Sequence, residues 1–75
     1  MNYSNKKPSN VIRLNNVEYS IPESLKVGQS FFLPCLEPKA AFFEVSNQYF
    51  SYEYKLVWVE RIELGVLGIR IWREA

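Results

Sequence analysis

A chain of 75 residues supports one hydrophobic core, and its single cysteine, Cys35, excludes an intramolecular disulfide and a four-ligand zinc site. It contains no histidine, which removes the commonest general base and metal ligand, and with them Ser–His and Cys–His catalysis. Nine basic against eight acidic residues leave a net charge of +1, so any nucleic-acid site has to be a local patch rather than a global basic excess.

What the chain has in quantity is apolar mass. Hydrophobic residues make up 48% of it and aromatics 16%, mostly in the last two-thirds. A domain this small buries only about 60–65% of its unfolded surface, and large aromatic side chains compensate for the short chain. No apolar run approaches the roughly 18 residues of a membrane-spanning helix. The opening Met1-Asn-Tyr-Ser-Asn-Lys-Lys-Pro8 carries a basic pair with no apolar stretch behind it, unlike a signal peptide. We expect a mobile tail over residues 1–9 and one domain over residues 10–75. The lack of paired cysteines suits a reducing compartment, so the expected location is the cytosol.

In chain order, Val11-Ile-Arg-Leu14 and Val17-Glu-Tyr-Ser-Ile21 flank Asn15-Asn16, and Asn tolerates the positive φ of a type I′ turn. A two-residue turn predicts Leu14 opposite Val17, Arg13 opposite Glu18 and Ile12 opposite Tyr19. Pro22 ends the second strand, and residues 23–29 read as a connection. Ser30-Phe-Phe-Leu33, between Gly28 and Pro34, is a short buried strand, whose adjacent Phe31 and Phe32 must point to opposite faces. Pro38 suits a first helical turn, and Ala41, Phe42 and Val45 follow at helical spacing. That helix is expected to stop near Ser46, because the next residues are poor helix formers. Phe43 projects off its apolar stripe.

From Tyr49 onward the apolar residues alternate. Phe50, Tyr52, Tyr54, Leu56, Trp58, Ile62 and Leu64 share one phase, which predicts a long strand with a bulge near residues 52–55 or at Glu60. Trp58, in that phase, is expected in the core as the more buried tryptophan. Leu64-Gly-Val-Leu67 reads as a second tight hairpin with Gly65 first in a type II′ turn. Its register opposes Ile62 to Ile69, Trp58 to Arg73, Val59 to Trp72 and Arg61 to Arg70, with Glu60 diagonal to Arg73. The fold class is therefore α+β: an antiparallel sheet of about five strands in the order β-β-β-α-β-β, with one short helix.

No nucleotide-binding glycine pattern or metal-ligand spacing is present, and we expect no catalysis, no cofactor and no metal. Carboxylates alternating with Lys and Arg along a strand are ordinarily a solvated face. The distinctive feature is the outer face of the last hairpin: Lys55, Val57, Val59, Arg61, Arg70 and Trp72. Like charges opposed on a sheet are destabilising, and arginine beside tryptophan and valine has the composition of a binding hot spot. These six residues are the candidate partner-binding site.

Two short blocks carry a resemblance. Val27-Gly-Gln-Ser-Phe-Phe-Leu-Pro34 and Gly68-Ile-Arg-Ile-Trp-Arg73 resemble small proteins of tailed bacteriophages with the pattern V-G-D-S-F-F-V-P, a short Ala-rich helix and a terminal G-V-R-V-W-R strand. The likeness spans residues 25–73. Gln29 stands where that pattern has an acidic residue, and the middle is aromatic where the relatives are basic. The resemblance implies a phage accessory protein. With the near-neutral charge and aromatic surplus, it leads to an expected non-catalytic binder that modulates a host or phage protein, as an inhibitor of host machinery or of an anti-phage defence complex. The alternative is a nucleic-acid-binding regulator using the basic and aromatic face, and a homo-oligomeric assembly component is a third reading. No membrane partner is expected.

Overall fold

Two hairpins, one helix and a third strand set between them make up the fold in the computed structural model, which describes residues 9–75. The expected tail over residues 1–9 lies outside the described residues except for Ser9, with which the first strand opens. β1 (Ser9–Leu14) and β2 (Val17–Pro22) form the first hairpin. β3 (Ser30–Pro34) leads to α1 (Pro38–Gln48) and a single 3₁₀ turn at Phe50–Tyr52. β4 (Leu56–Glu63) and β5 (Val66–Arg73) form the second hairpin.

The first hairpin folds in the expected register. Asn15 and Asn16 take φ of 50° and 65°, as a type I′ turn requires, and Leu14 opposes Val17, Arg13 opposes Glu18 and Ile12 opposes Tyr19. Arg13 Nη2 donates to Glu18 Oε2 at 3.0 Å on the solvent side. Ile12 and Ile21 turn the other way, into the core.

The strands do not form one sheet. β1 and β2 stand as a two-stranded ribbon, while β3, β5 and β4 form an antiparallel sheet in that order. The chain leaves β2 at Pro22, which has no N–H to extend a ladder, and turns back at residues 26–29, where Gly28 takes a φ of 87°. Gln29 N–H donates to the Lys26 carbonyl, and Lys26 N–H to the Gln29 side chain, both at 2.9 Å. This redirection brings β3 to β5 rather than to β2, and the ribbon packs on the core through side chains. Ile12, Ile21 and Leu25 meet Leu33, Ile69 and Ile71 of the sheet and Ala41, Val45 and Tyr49 of α1.

The helix runs two residues past Ser46, and the long strand expected from Tyr49 starts only at Leu56. Tyr49 lies four residues beyond Val45, on the same buried stripe as Ala41, and is only 1% exposed. Its hydroxyl donates to the Pro22 carbonyl and ties α1 to the end of β2. Packing outweighs the poor helix propensity of this segment. The alternation of Phe50, Tyr52 and Tyr54 comes instead from a 3₁₀ turn followed by Glu53 in the left-handed region, at φ 58°. Tyr49, Tyr52 and Tyr54 cluster there, with ring centroids 5.0–6.3 Å apart.

The second hairpin turns one residue earlier than expected. Leu64 and Gly65 are its central residues, with φ of 52° and 79°, so the turn is type I′ with glycine second. Glu63 opposes Val66, Arg61 opposes Gly68, Val59 opposes Arg70 and Trp58 opposes Ile71. Each β5 partner moves by two positions, so every side chain stays on its expected face while the opposition of Arg61 to Arg70 disappears. Glu60 does not meet Arg73 either. The Arg73 guanidinium donates to the Leu25 carbonyl at 3.0 Å and lies 4.2 Å from the Tyr54 ring centre.

Candidate functional site

The two faces of the three-stranded sheet have different fates. Phe31, Leu33, Ile69, Ile71 and Trp58 turn inward under α1, with Trp58 and Phe42 ring centroids 5.9 Å apart. On the opposite face, β3 and β5 pair Ser30 with Trp72 and Phe32 with Arg70, while β5 and β4 pair Trp72 with Val57 and Arg70 with Val59. None of these outward side chains joins the core cluster. Both tryptophans are half-buried, and only Trp58 packs against the core cluster.

Five of the six expected site residues, Val57, Val59, Arg61, Arg70 and Trp72, lie on this outer face. Lys55 continues it just before β4. Its backbone bonds Glu74 and Ala75, and its ammonium lies 3.4 Å from the Glu74 carboxylate. Val59 is 42% exposed, and Arg61 keeps 51% of its side chain in solvent.

Glu63 organises the cations. Arg70 donates from Nε and Nη2 to its two carboxylate oxygens, each at 2.7 Å, a bidentate fork. Arg70 Nη1 donates to Ser30 Oγ at 2.8 Å, so one guanidinium links β4, β5 and β3. Arg61 Nε lies 3.4 Å from the same carboxylate. The hydrogen bond from Arg70 holds the Glu63 carboxyl below its ordinary range, and Glu63 in turn raises Arg70. The face is thus apolar and aromatic with each cation beside a carboxylate, rather than an open basic stripe.

Phe32, Ser30 and Glu63 complete the site, and Phe32 follows from strand alternation alone once the faces are assigned. Gly68 leaves room for the Phe32 ring and the β3 backbone. A Cβ there would clash with the Leu33 carbonyl oxygen and come within 2.7 Å of the Phe32 ring. The two sequence blocks that carry the phage resemblance are therefore partner strands: Ser30 pairs with Trp72 and Pro34 with Gly68.

An open cleft of about 660 Å³ lies between the two hairpin tips and the first turn of α1, lined by Leu14, Val17, Tyr19, Leu36, Ala41 and Leu67 among others. Cys35 borders it. Burial, with the Glu60 carboxylate, pushes its thiol up, away from the reactive thiolate. Among the described residues no group of three His, Cys, Asp or Glu side chains is placed to hold a metal, and no helix is long and apolar enough to cross a membrane. No protein-family model, characterised protein or solved structure matches this chain.

Proposed function

We propose that this protein is a non-catalytic binding module of the phage accessory type, which docks on a host or phage protein through the outer face of the β3-β5-β4 sheet and modulates it. The observation that carries the reading is the combination of Trp72, Phe32, Val57 and Val59 on a face outside the core cluster with cations already paired to Glu63 and Glu74. Apolar and aromatic surface around a preorganised arginine is the composition of a protein interface core. A phosphate-binding surface needs cations free to displace counterions, and here the pairing opposes that.

The test is affinity capture from bacterial lysate with the wild-type chain and with Trp72→Ala, checked for fold by circular dichroism. The reading expects one protein retained by the wild type and lost by the folded variant, with modest salt dependence. Equal retention by both, or recovery of nucleic acid with a steep salt slope, overturns it in favour of another surface or of the nucleic-acid alternative.

A further inference from the structure

β4 forms one edge of the three-stranded sheet. Because its turn has two residues, Glu63 and Val66 are a hydrogen-bonded pair, and the backbone groups of residues 57, 59, 61 and 63 face β5. Those of Leu56, Trp58, Glu60 and Ile62 face outward, and among the described residues no other strand pairs with them. An eight-residue open edge is a template for another strand.

The end of this strand is built as though to be covered. Leu64 sits in the left-handed region, where the first hairpin places Asn15, and it is fully exposed. Neither its backbone conformation nor its solvation favours leucine there. Ile62, two residues back, is 70% exposed. On the same side of the sheet, at the other end of β4, lies a hollow of about 520 Å³ lined by Phe42, Phe50, Tyr54 and Leu56.

We propose that the β4 edge pairs antiparallel with β4 of a second copy, about a two-fold axis at Val59, giving a six-stranded sheet of order β3-β5-β4-β4′-β5′-β3′. The strand's own residues select this register. Moving the axis to Glu60 opposes two glutamates, moving it to Arg61 opposes two arginines, and moving it to Trp58 opposes Lys55 to Arg61. With the axis at Val59, residues 56–62 pair throughout with no like charges opposed, and Lys55 meets Glu63 of the second copy twice. The same register sets Ile62 opposite Leu56 and Leu64 opposite Tyr54, so the exposed knob of each copy enters the hollow of the other. One register thus satisfies the charges, the open edge and the exposed leucine together, as a self-complementary two-fold contact requires. The proposal is independent of which partner the outer face takes, and it sets two copies of that face side by side.

Sedimentation of the full chain tests the association, and cysteine placement tests the register. The wild type is expected to sediment as a dimer that dissociates on dilution. On a Cys35→Ser background, Val59→Cys should form a crosslinked dimer on mild oxidation, because Cα atoms facing across a non-hydrogen-bonded pair lie about 4.5 Å apart. Arg61→Cys, which faces Val57 of the second copy, should not. Leu64→Asn should raise the melting temperature of the dissociated chain, since Asn tolerates the left-handed conformation. It should also weaken dimerisation, by about tenfold or more for loss of a buried anchor. A chain that stays monomeric up to millimolar concentration, a crosslink at position 61 rather than 59, or unchanged association of Leu64→Asn would overturn the proposal.

Discussion

Arg70 and Glu63 lie seven positions apart, on opposite strands of the second hairpin, and join through two hydrogen bonds of 2.7 Å. A third, to Ser30, carries the link to β3. Arg70 is therefore a brace of the three-stranded sheet, while Arg61 keeps half of its side chain in solvent. The two arginines that look equivalent in sequence have separate duties.

Their separation has a pH signature. Glu63 has a lower carboxyl pKa folded than unfolded, so its pairing stabilises the protein above the unfolded value, about 4.3 for Glu. That contribution falls away as pH drops through the depressed folded value. Glu63→Gln should lower the melting temperature at pH 7, and the gap to wild type should close as pH falls toward 3. Thermal unfolding followed by circular dichroism across that range checks it, and a gap that stays constant with pH would refute the assignment.

Tyr49→Phe removes the donor to the Pro22 carbonyl while preserving the ring packing. Leaving that carbonyl unpaired should cost roughly 1–3 kcal/mol. Burial, with Tyr52 and Tyr54 nearby, also pushes the Tyr49 phenol well above its ordinary value. A raised folded value means that this stabilisation is complete below about pH 10, where unfolded Tyr ionises, and is lost progressively as pH rises further. Denaturant melts from pH 8 to 11 should show the wild type losing stability faster than Tyr49→Phe.

Gly68→Ala should destabilise by roughly 1–3 kcal/mol or more, the usual range for forcing extra atoms into a filled space. The new methyl would meet the β3 backbone at both Leu33 and Pro34, which cannot rotate away. Chemical denaturation gives the value directly. A neutral result would mean that β3 can shift outward without losing its pairing to β5.

The tryptophans should divide stability from binding. Trp58→Ala removes an inward side chain that packs with Phe42 on the core and should cost about 3 kcal/mol or more. Trp72→Ala, on the outer face, should cost less in stability and more in partner affinity. Equal destabilisation by the two, read from urea melts, would show that the outer face is also a packing surface.

The sequence by itself determined the first turn and the faces of the strands, though it placed the second turn one residue late. Asn15-Asn16 set a turn, the turn set the pairing of Arg13 with Glu18, and alternation assigned Val57, Val59, Arg61, Arg70 and Trp72 to one face. Those faces survived a two-position shift in register, because side-chain direction in a strand has period two and the shift preserved it. Contacts between distant segments decided the rest. Tyr49 reaches Pro22 and extends the helix over residues that disfavour one, and the turn at Gly28 sends β3 to β5, so that the sheet divides. The choice of Glu63 as Arg70's partner and the close approach of the Phe32 ring to Gly68 likewise depend on where strands meet in space. Local spacing carries no record of those distances, since the same alternation in Phe50, Tyr52 and Tyr54 serves a 3₁₀ turn as readily as a strand.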